Sequence, residues 1–324
     1  MVLEDDVINA ADKLKALREE VAKEFTGQGE LVETALIALL AGGHILVEGV
    51  PGLGKTLLVR AFARAIGGES ARVQFTPDLM PSDITGNIML DAAQGGFITK
   101  RGPVFTNIFI ADEINRAPAK TQAALFEAMQ EFQVTLDGKS YPLPRPFMTL
   151  ATENPFEHEG TYPLPDAQKD RFLLKIIVNY PSFEEETAMV KRVTASDSGG
   201  AELSVAAVKA VTTPSEFAAL QKKSALVTVD DSLVDYAVRL CSATRKHPAV
   251  QCGAGPRGSL SLIRSARARA LINLRNFVLP DDIKALAVQA LAHRLTLCAS
   301  SELEGTSVAE VVGAIVEQTA APRD

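Results

Sequence analysis

Five short apolar runs recur along the first half of the chain: HILV (44–47), RVQF (72–75), NIFIA (107–111), FMTLA (147–151) and FLLKIIV (172–178). Short apolar runs of this kind suit buried parallel strands. Between them, segments 30–41, 56–66 and 118–131 space their apolar residues by three and four, the period of a half-buried helix. The alternation predicts a doubly wound α/β domain on a five-stranded parallel sheet, with ligand chemistry at the carboxyl ends of its strands. Two segments break the rhythm. NIMLDAAQGGFITK (87–100) and VTLDGKSYPL (134–143) read as β-hairpins inserted into the core, the second turning at Asp137-Gly138. Ahead of the domain, Leu14, Leu17, Val21 and Phe25 predict an amphipathic helix within 5–24. Past Tyr180-Pro181, leucine- and alanine-rich helical patterns run to Leu291–Leu297, and ASDSGGAELS (195–204) reads as a flexible loop among them. The expected division is an N-terminal helix (1–26), an α/β core (27–180) and an all-α domain (181–324).

The turn after the first strand carries the strongest chemical signal. GVPGLGKT joins the apolar HILVE to the helical LLVRAFARAI, and Gly49, Gly54, Lys55 and Thr56 meet the pattern G-x-x-x-x-G-K-[ST], with Gly52 added. Glycines let successive backbone N–H groups point inward at phosphate oxygens, which a helix N-terminus also favours. Lys55 is placed to neutralise β- and γ-phosphates, and the Thr56 hydroxyl to complete a Mg²⁺ shell otherwise made of water, phosphate and carboxylate oxygens. Val50, Pro51, Gly52, Leu53 and Leu57 complete the expected ATP-binding segment. A chance glycine-rich turn is the bland alternative, and the strand-turn-helix setting argues against it.

A second site follows the third strand. In NIFIADEIN, Asp112 is positioned for Mg²⁺, and Glu113 to polarise an attacking water as general base. Taken alone, the pair also fits an acidic helix N-terminus favoured by the macrodipole. Asn154 closes the fourth strand, where its amide can orient the same water, although Asn before Pro is ordinary turn chemistry too.

Composition narrows the class. The 324 residues include 47% hydrophobic ones, enough for real cores, and the net charge of −7 argues against a surface that coats nucleic acid. One local strip is basic: Arg257, Arg264, Arg267, Arg269 and Arg275 occur without an intervening acid, read as a helix facing nucleotide or a neighbouring subunit rather than DNA. Cys241, Cys252 and Cys298 are too few and too far apart for a disulfide framework or a four-ligand zinc site. His44, His158, His247 and His293 form no metal-ligand pair and are read as structural. No apolar run approaches membrane-spanning length, and a reduced, cytoplasmic protein without membrane insertion is expected.

The segments GQGELVETALIALLAGGHILVEGVPGLGKT, QFTPDLMPSDITGN, ADEINRAPAKTQAALFEAMQE and ATENPFEHEGTYPLPDAQKDRFLL resemble the MoxR family of AAA+ ATPases, across most of 27–178. GPRGSLSLIRSARARALINLRNFVLPDDI resembles its lid less closely. The resemblance implies an AAA+ P-loop core with a helical lid, a homo-oligomeric, hexameric ring with shared active sites, and the two hairpin insertions. It assigns Lys55 and Thr56 to Walker A, Asp112 and Glu113 to Walker B, Asn154 to sensor 1, Arg171 of DRF to the arginine finger, and Arg257 of GPRG to a sensor 2 that touches phosphate in cis. Arg116 of INRA is either a subunit-interface residue or an ordinary surface one. The chain departs from the commoner ATQNP with ATENP, which puts Glu153 beside the sensor. The resemblance further implies chaperone-like remodelling of client complexes with a von Willebrand factor A (VWA) domain partner. The alternatives are a DNA-acting motor of the same clade, which would want more basic hairpins, and a small-molecule P-loop kinase, which needs no neighbour. No N-K-x-D motif supports a GTPase.

Overall fold

The computed structural model describes residues 4–24, 29–49, 54–91, 96–153, 161–178, 180, 182–194 and 205–322. Helices α1 (Glu4–Glu24) and α2 (Gly29–Leu40) lead into strand β1 (Ile45–Gly49), helix α3 (Lys55–Ala65), β2 (Ser70–Gln74) and α4 (Pro81–Thr85). The hairpin β3 (Gly86–Asp91) and β4 (Gly96–Arg101) precedes β5 (Ile108–Asp112), α5 (Ala119–Glu131) and a second hairpin, β6 (Gln133–Leu136) and β7 (Lys139–Pro142). Then follow β8 (Met148–Glu153), α6 (Asp166–Lys169) and β9 (Leu174–Val178). The main sheet is parallel, in the order β2-β5-β8-β1-β9. Both faces of β1, β5 and β8 are covered, which explains their apolar runs; β2, at the sheet edge, departs from the expectation, with residues that are exposed or half-buried. Ile45, Val47, Ile108, Ile110 and Leu150 pack on the α1–α3 side, while Leu46, Phe109, Ala111 and Ala151 pack on the α5 side.

The predicted amphipathic helix is α1, whose Leu14, Leu17 and Val21 are fully buried against a core shared with α3 and α10; Phe25 lies outside the described residues. So does the expected loop at 195–204. The rest of the chain is helical: α7 (Phe183–Thr194), α8 (Pro214–Ala225), α9 (Asp231–Thr244), then β10 (Val250–Cys252), α10 (Pro256–Ile272), α11 (Pro280–Leu291), β11 (Thr296–Leu297), α12 (Ala299–Leu303) and α13 (Val308–Gln318). Local chemistry sets several of these starts. Thr213 and Glu216 form a capping box with Pro214 at the first position of α8, and Ser307 and Glu310 do the same for α13. The antiparallel pair β10–β11 adds to the helical expectation; strands this short show no periodicity in sequence.

His44 and His293 are structural. His44 Nε2 faces the Met129 carbonyl at 2.8 Å, and its Nδ1 accepts the Thr149 N–H at 3.0 Å, which requires the neutral ring. Burial pushes its pKa down to about 4. His293 is buried with Nε2 at 3.1 Å from the Phe172 carbonyl, and burial first, then Arg294, hold it well below the usual range.

Candidate functional site

The carboxyl end of β1 is shaped for close backbone approach. A Cβ at Gly49 would come within 2.4 Å of the Val178 carbonyl oxygen, so a side chain there would drive β9 away. Gly54 adopts φ 73°, a left-handed conformation that starts α3 and for which glycine carries no steric cost. Lys55, Thr56 and Leu57 form the first turn of α3, with Lys55 and Thr56 half-buried and Leu57 buried. Lys55 Nζ donates to the Gly49 carbonyl at 3.1 Å, folding the ammonium back over the turn. Burial pulls its pKa down, while Asp112 and Glu113 oppose that shift and keep the charge favourable. Val50, Pro51, Gly52, Leu53 and Asn154 lie outside the described residues.

Asp112 and Glu113 are held by residues that the motif does not contain. The Thr152 hydroxyl donates to Asp112 Oδ1 at 2.6 Å and accepts the Glu113 N–H at 2.8 Å, so one side chain on β8 fixes both acids at the end of β5. Glu113 stands at φ 55°, a left-handed conformation that costs a non-glycine residue about 1 kcal/mol or more and clusters at functional sites. Arg72 on β2 donates to Asp112 Oδ2 from Nε at 3.1 Å and from Nη2 at 2.6 Å. Arg116 Nε pairs with Glu113 Oε2 at 2.8 Å, tying Arg116 to an acid of its own chain. The Thr56 hydroxyl and the Asp112 carboxylate are hard oxygen donors of the kind Mg²⁺ takes alongside phosphate. Among the described residues, no group of three or more His, Cys, Asp or Glu is arranged as a metal cage, and a phosphate-borne Mg²⁺ needs none. Next to this site, burial raises the carboxyl of Glu153, with Lys169 and Lys175 opposing; Lys175 is already ion-paired with Glu48.

The remaining candidates gather at the other end of the sheet. Leu173 N–H bonds to the His44 carbonyl at 2.8 Å, which fixes segment 170–173 at the amino ends of β1 and β9. Arg171 lies over the Phe126 ring, 5.6 Å from its centroid, with Nη1 at 3.5 Å from the Phe126 carbonyl and a buried Nε that no described residue accepts from. Burial and then the charge of Arg257 lower its pKa. Arg257 Nη1 is 3.6 Å from Asp170 Oδ2, and Arg294 Nε donates to Asp170 Oδ1 at 2.8 Å. Arg257 therefore stands beside Arg171, whereas the cis contact expected of it would bring it to the phosphate loop. The two ends of β1 are about 13 Å apart at 3.3 Å per residue. Thr152, Arg72 and Arg294 have no motif in the sequence, and Asp170, the alternative partner for Arg171 in sequence, is paired instead with Arg257 and Arg294. Thr152 had a signal, a hydroxyl near the carboxyl end of a buried strand; Arg72 and Arg294 are recognisable only once the chain is folded.

The first hairpin exposes apolar side chains: Met89 is 44%, Leu90 65% and Ile98 48% exposed. Among the described residues no helix is long and apolar enough to cross a membrane.

Residues 44–174 match the model of the ATPase family associated with various cellular activities (AAA), and residues 242–315 match the AAA lid domain. The chain is 43% identical over 313 residues to chaperone MoxR1 of Mycobacterium tuberculosis, covering 94% of this chain and 81% of that one. It is 31% identical over 343 residues to protein MoxR of Methylorubrum extorquens, covering 96% of each. A crystal structure of a protein from Cytophaga hutchinsonii, described as a candidate ATPase, superposes with a TM-score of 0.90 at 39% identity, over 99% of this chain and 98% of that one. A five-stranded parallel sheet, the helical lid that follows it and these relatives agree: the chain belongs to the MoxR family of AAA+ ATPases.

Proposed function

We propose that this ATPase works as a homo-oligomeric ring, six-membered by family resemblance, in which each active site is completed by an arginine of the next subunit. The observation that carries this reading is the placement of Arg171. It lies at the opposite end of the sheet from Lys55, beside a second cation, with a buried Nε that lacks an acceptor. Asp170 is the carboxylate bonded within this cluster of three guanidinium groups, so the cluster keeps a surplus of positive charge. A surplus of that kind suits an anion delivered from outside the chain, such as the γ-phosphate of ATP on a neighbour.

In this reading Lys55 and the backbone around Gly54 hold the β- and γ-phosphates. Thr56 and Asp112 would hold Mg²⁺, which supplies charge neutralisation on the phosphate oxygens when bound. Glu113 takes the proton of the attacking water as the bond to the γ-phosphorus forms, and ADP leaves as the bond to the β-phosphate oxygen breaks. Asn154 orients that water. The neighbour's Arg171 and Arg257 stabilise charge on the transferring group. Loss of the γ-phosphate then releases the neighbour, and the motion reaches clients through hairpins β3–β4 and β6–β7. The exposed Met89, Leu90 and Ile98 suit a protein surface better than a nucleic acid, in line with chaperone-like remodelling. Work with a VWA-domain partner in the cytoplasm rests on family resemblance.

The test is ATP turnover per subunit against protein concentration, with Arg171→Ala and Glu113→Gln assayed singly and mixed. Shared sites predict turnover that rises with concentration, is lost in each variant and partly returns on mixing. Turnover independent of concentration and untouched by Arg171→Ala would refute the ring reading.

A further inference from the structure

Arg294 is the most heavily bonded buried cation among the described residues, and no step of ATP hydrolysis uses it. Only 2% of its side chain is exposed, yet it belongs to the short turn after α11, in the helical region. Every bond that it makes to the α/β core falls on the segment 170–173. Nε donates to Asp170 Oδ1 at 2.8 Å; Nη2 donates to the carbonyls of Phe172 at 2.6 Å and Asp170 at 3.2 Å; Nη1 reaches the Leu173 carbonyl at 3.4 Å. Within the helical region it is fixed by the Ala290 carbonyl and by Ser261 Oγ at 3.0 Å. Ser261 sits on α10, one turn after Arg257, so the helix that carries Arg257 is part of the same grip.

A guanidinium satisfied on all sides in a buried site is costly to move, because a displaced partner leaves a charge or a carbonyl unpaired. The segment gripped is the one that carries Arg171. Its other supports are the Phe126–Phe172 ring contact at 5.9 Å and the bond from Leu173 to His44. Asp170 divides its carboxylate between Arg294 and Arg257, which links the positions of the two arginines that flank it.

We propose that Arg294 is the positioning residue of the arginine pair: through Asp170 and the 170–173 carbonyls it sets where Arg171 and Arg257 stand, so a change in lid position is delivered to the neighbour's phosphate. This rests on the reading that Arg171 acts on the next subunit. Arg294 touches no nucleotide; it acts through the residues it holds. A subunit altered at Arg294 therefore keeps its own phosphate loop and Walker B acids, and its defect falls on the neighbouring site.

The experiment is Arg294→Gln in the full chain, with ATP affinity, turnover and mixing against Glu113→Gln measured together. The expected result is ATP affinity near that of the parent protein and turnover lower by about 10²-fold, the loss that a displacement of order 1 Å can cause. Adding Glu113→Gln subunits, which are inactive themselves but carry an intact arginine cluster, restores part of the turnover. A merely structural defect would lie in the altered subunit's own site, and no neighbour would relieve it. Unchanged turnover overturns the proposal, as does a deficit that Glu113→Gln fails to relieve while it does relieve Arg171→Ala. If Arg171→Ala is not relieved either, the shared-site reading itself has failed, which the same plate reports separately. Should Arg294→Gln not fold, Asp170→Asn removes the shared charge while keeping the side-chain shape, and is judged by the same affinity, turnover and mixing outcomes.

Discussion

The two ends of the central sheet solve opposite electrostatic problems. At the carboxyl end, one half-buried cation, Lys55, faces Asp112 and Glu113, and the acids are each held by an arginine and a shared threonine. Charges there are close to balanced before any ligand arrives. At the amino end, Arg171, Arg257 and Arg294 surround Asp170, and Arg171 keeps an unused buried donor. In the proposed function, the first end receives a polyanion with its own cation and the second is presented to an anion held elsewhere. On the proposed reading, one chain carries two halves of a site that do not face each other.

The comparison breaks most directly at Arg171. Arg171→Ala should leave ATP binding intact and lower turnover by about 10³-fold or more, as for arginine fingers generally; loss of affinity in a nucleotide-binding titration would place Arg171 at its own phosphate loop. Glu113→Gln should bind ATP and lose about 10²–10⁴-fold in turnover, the usual range for a general base. Turnover at the parent rate would remove Glu113 from that role. Thr152→Val sharpens the carboxyl end. It keeps the shape but strands the Glu113 N–H, a cost of about 1–3 kcal/mol, so turnover should fall roughly tenfold or more with Mg²⁺-ATP affinity reduced, by single-turnover kinetics and titration.

The smallest effect concerns acid and belongs to the amino end. His44 titrates near 6.5 when unfolded and at about 4 when folded, so the unfolded chain binds the extra proton between those values. Its contribution to stability is complete above pH 6.5 and is lost as pH falls from there towards 4. Between pH 7.5 and pH 5 the loss should be about 2 kcal/mol, measured by denaturant unfolding. His293 shifts in the same direction. Because the His44 ring accepts the Thr149 N–H and the His293 ring bonds to the Phe172 carbonyl, the amino end of the sheet should loosen first, and hydrogen exchange at Thr149 and at 172–173 should rise ahead of that at Ala111 and Glu113. Uniform loosening would erase the distinction between the two ends.

What was legible in sequence was local. The five sheet strands, the helices between them, both hairpins and the strand-turn-helix setting of Lys55 all depend on near neighbours, and each lies where its pattern predicts. The family segments carried the AAA+ assignment. The contacts that arm the sites were not legible, because they are made by folding alone. Arg294 and Asp170 are 124 positions apart, Arg72 and Asp112 are 40, and no spacing rule links either pair. Arg257 was read as a cis phosphate ligand from its motif; its neighbours in the fold are Asp170 and Arg171, because α10 is docked on the amino side of the sheet by Arg264 bonding to Ala41 and Gly42.

The apolar cluster that begins at Val7 on α1 continues through β1 and β9 and reaches Ile315 on α13 without a break where strands give way to helices. Heated in a calorimeter, the strands and helices that this cluster joins are expected to melt together in one heat-absorption peak. If nucleotide binds at Lys55 as proposed, it should protect α13 from melting without touching it, because whatever stabilises one end of a cooperative unit is credited to the whole.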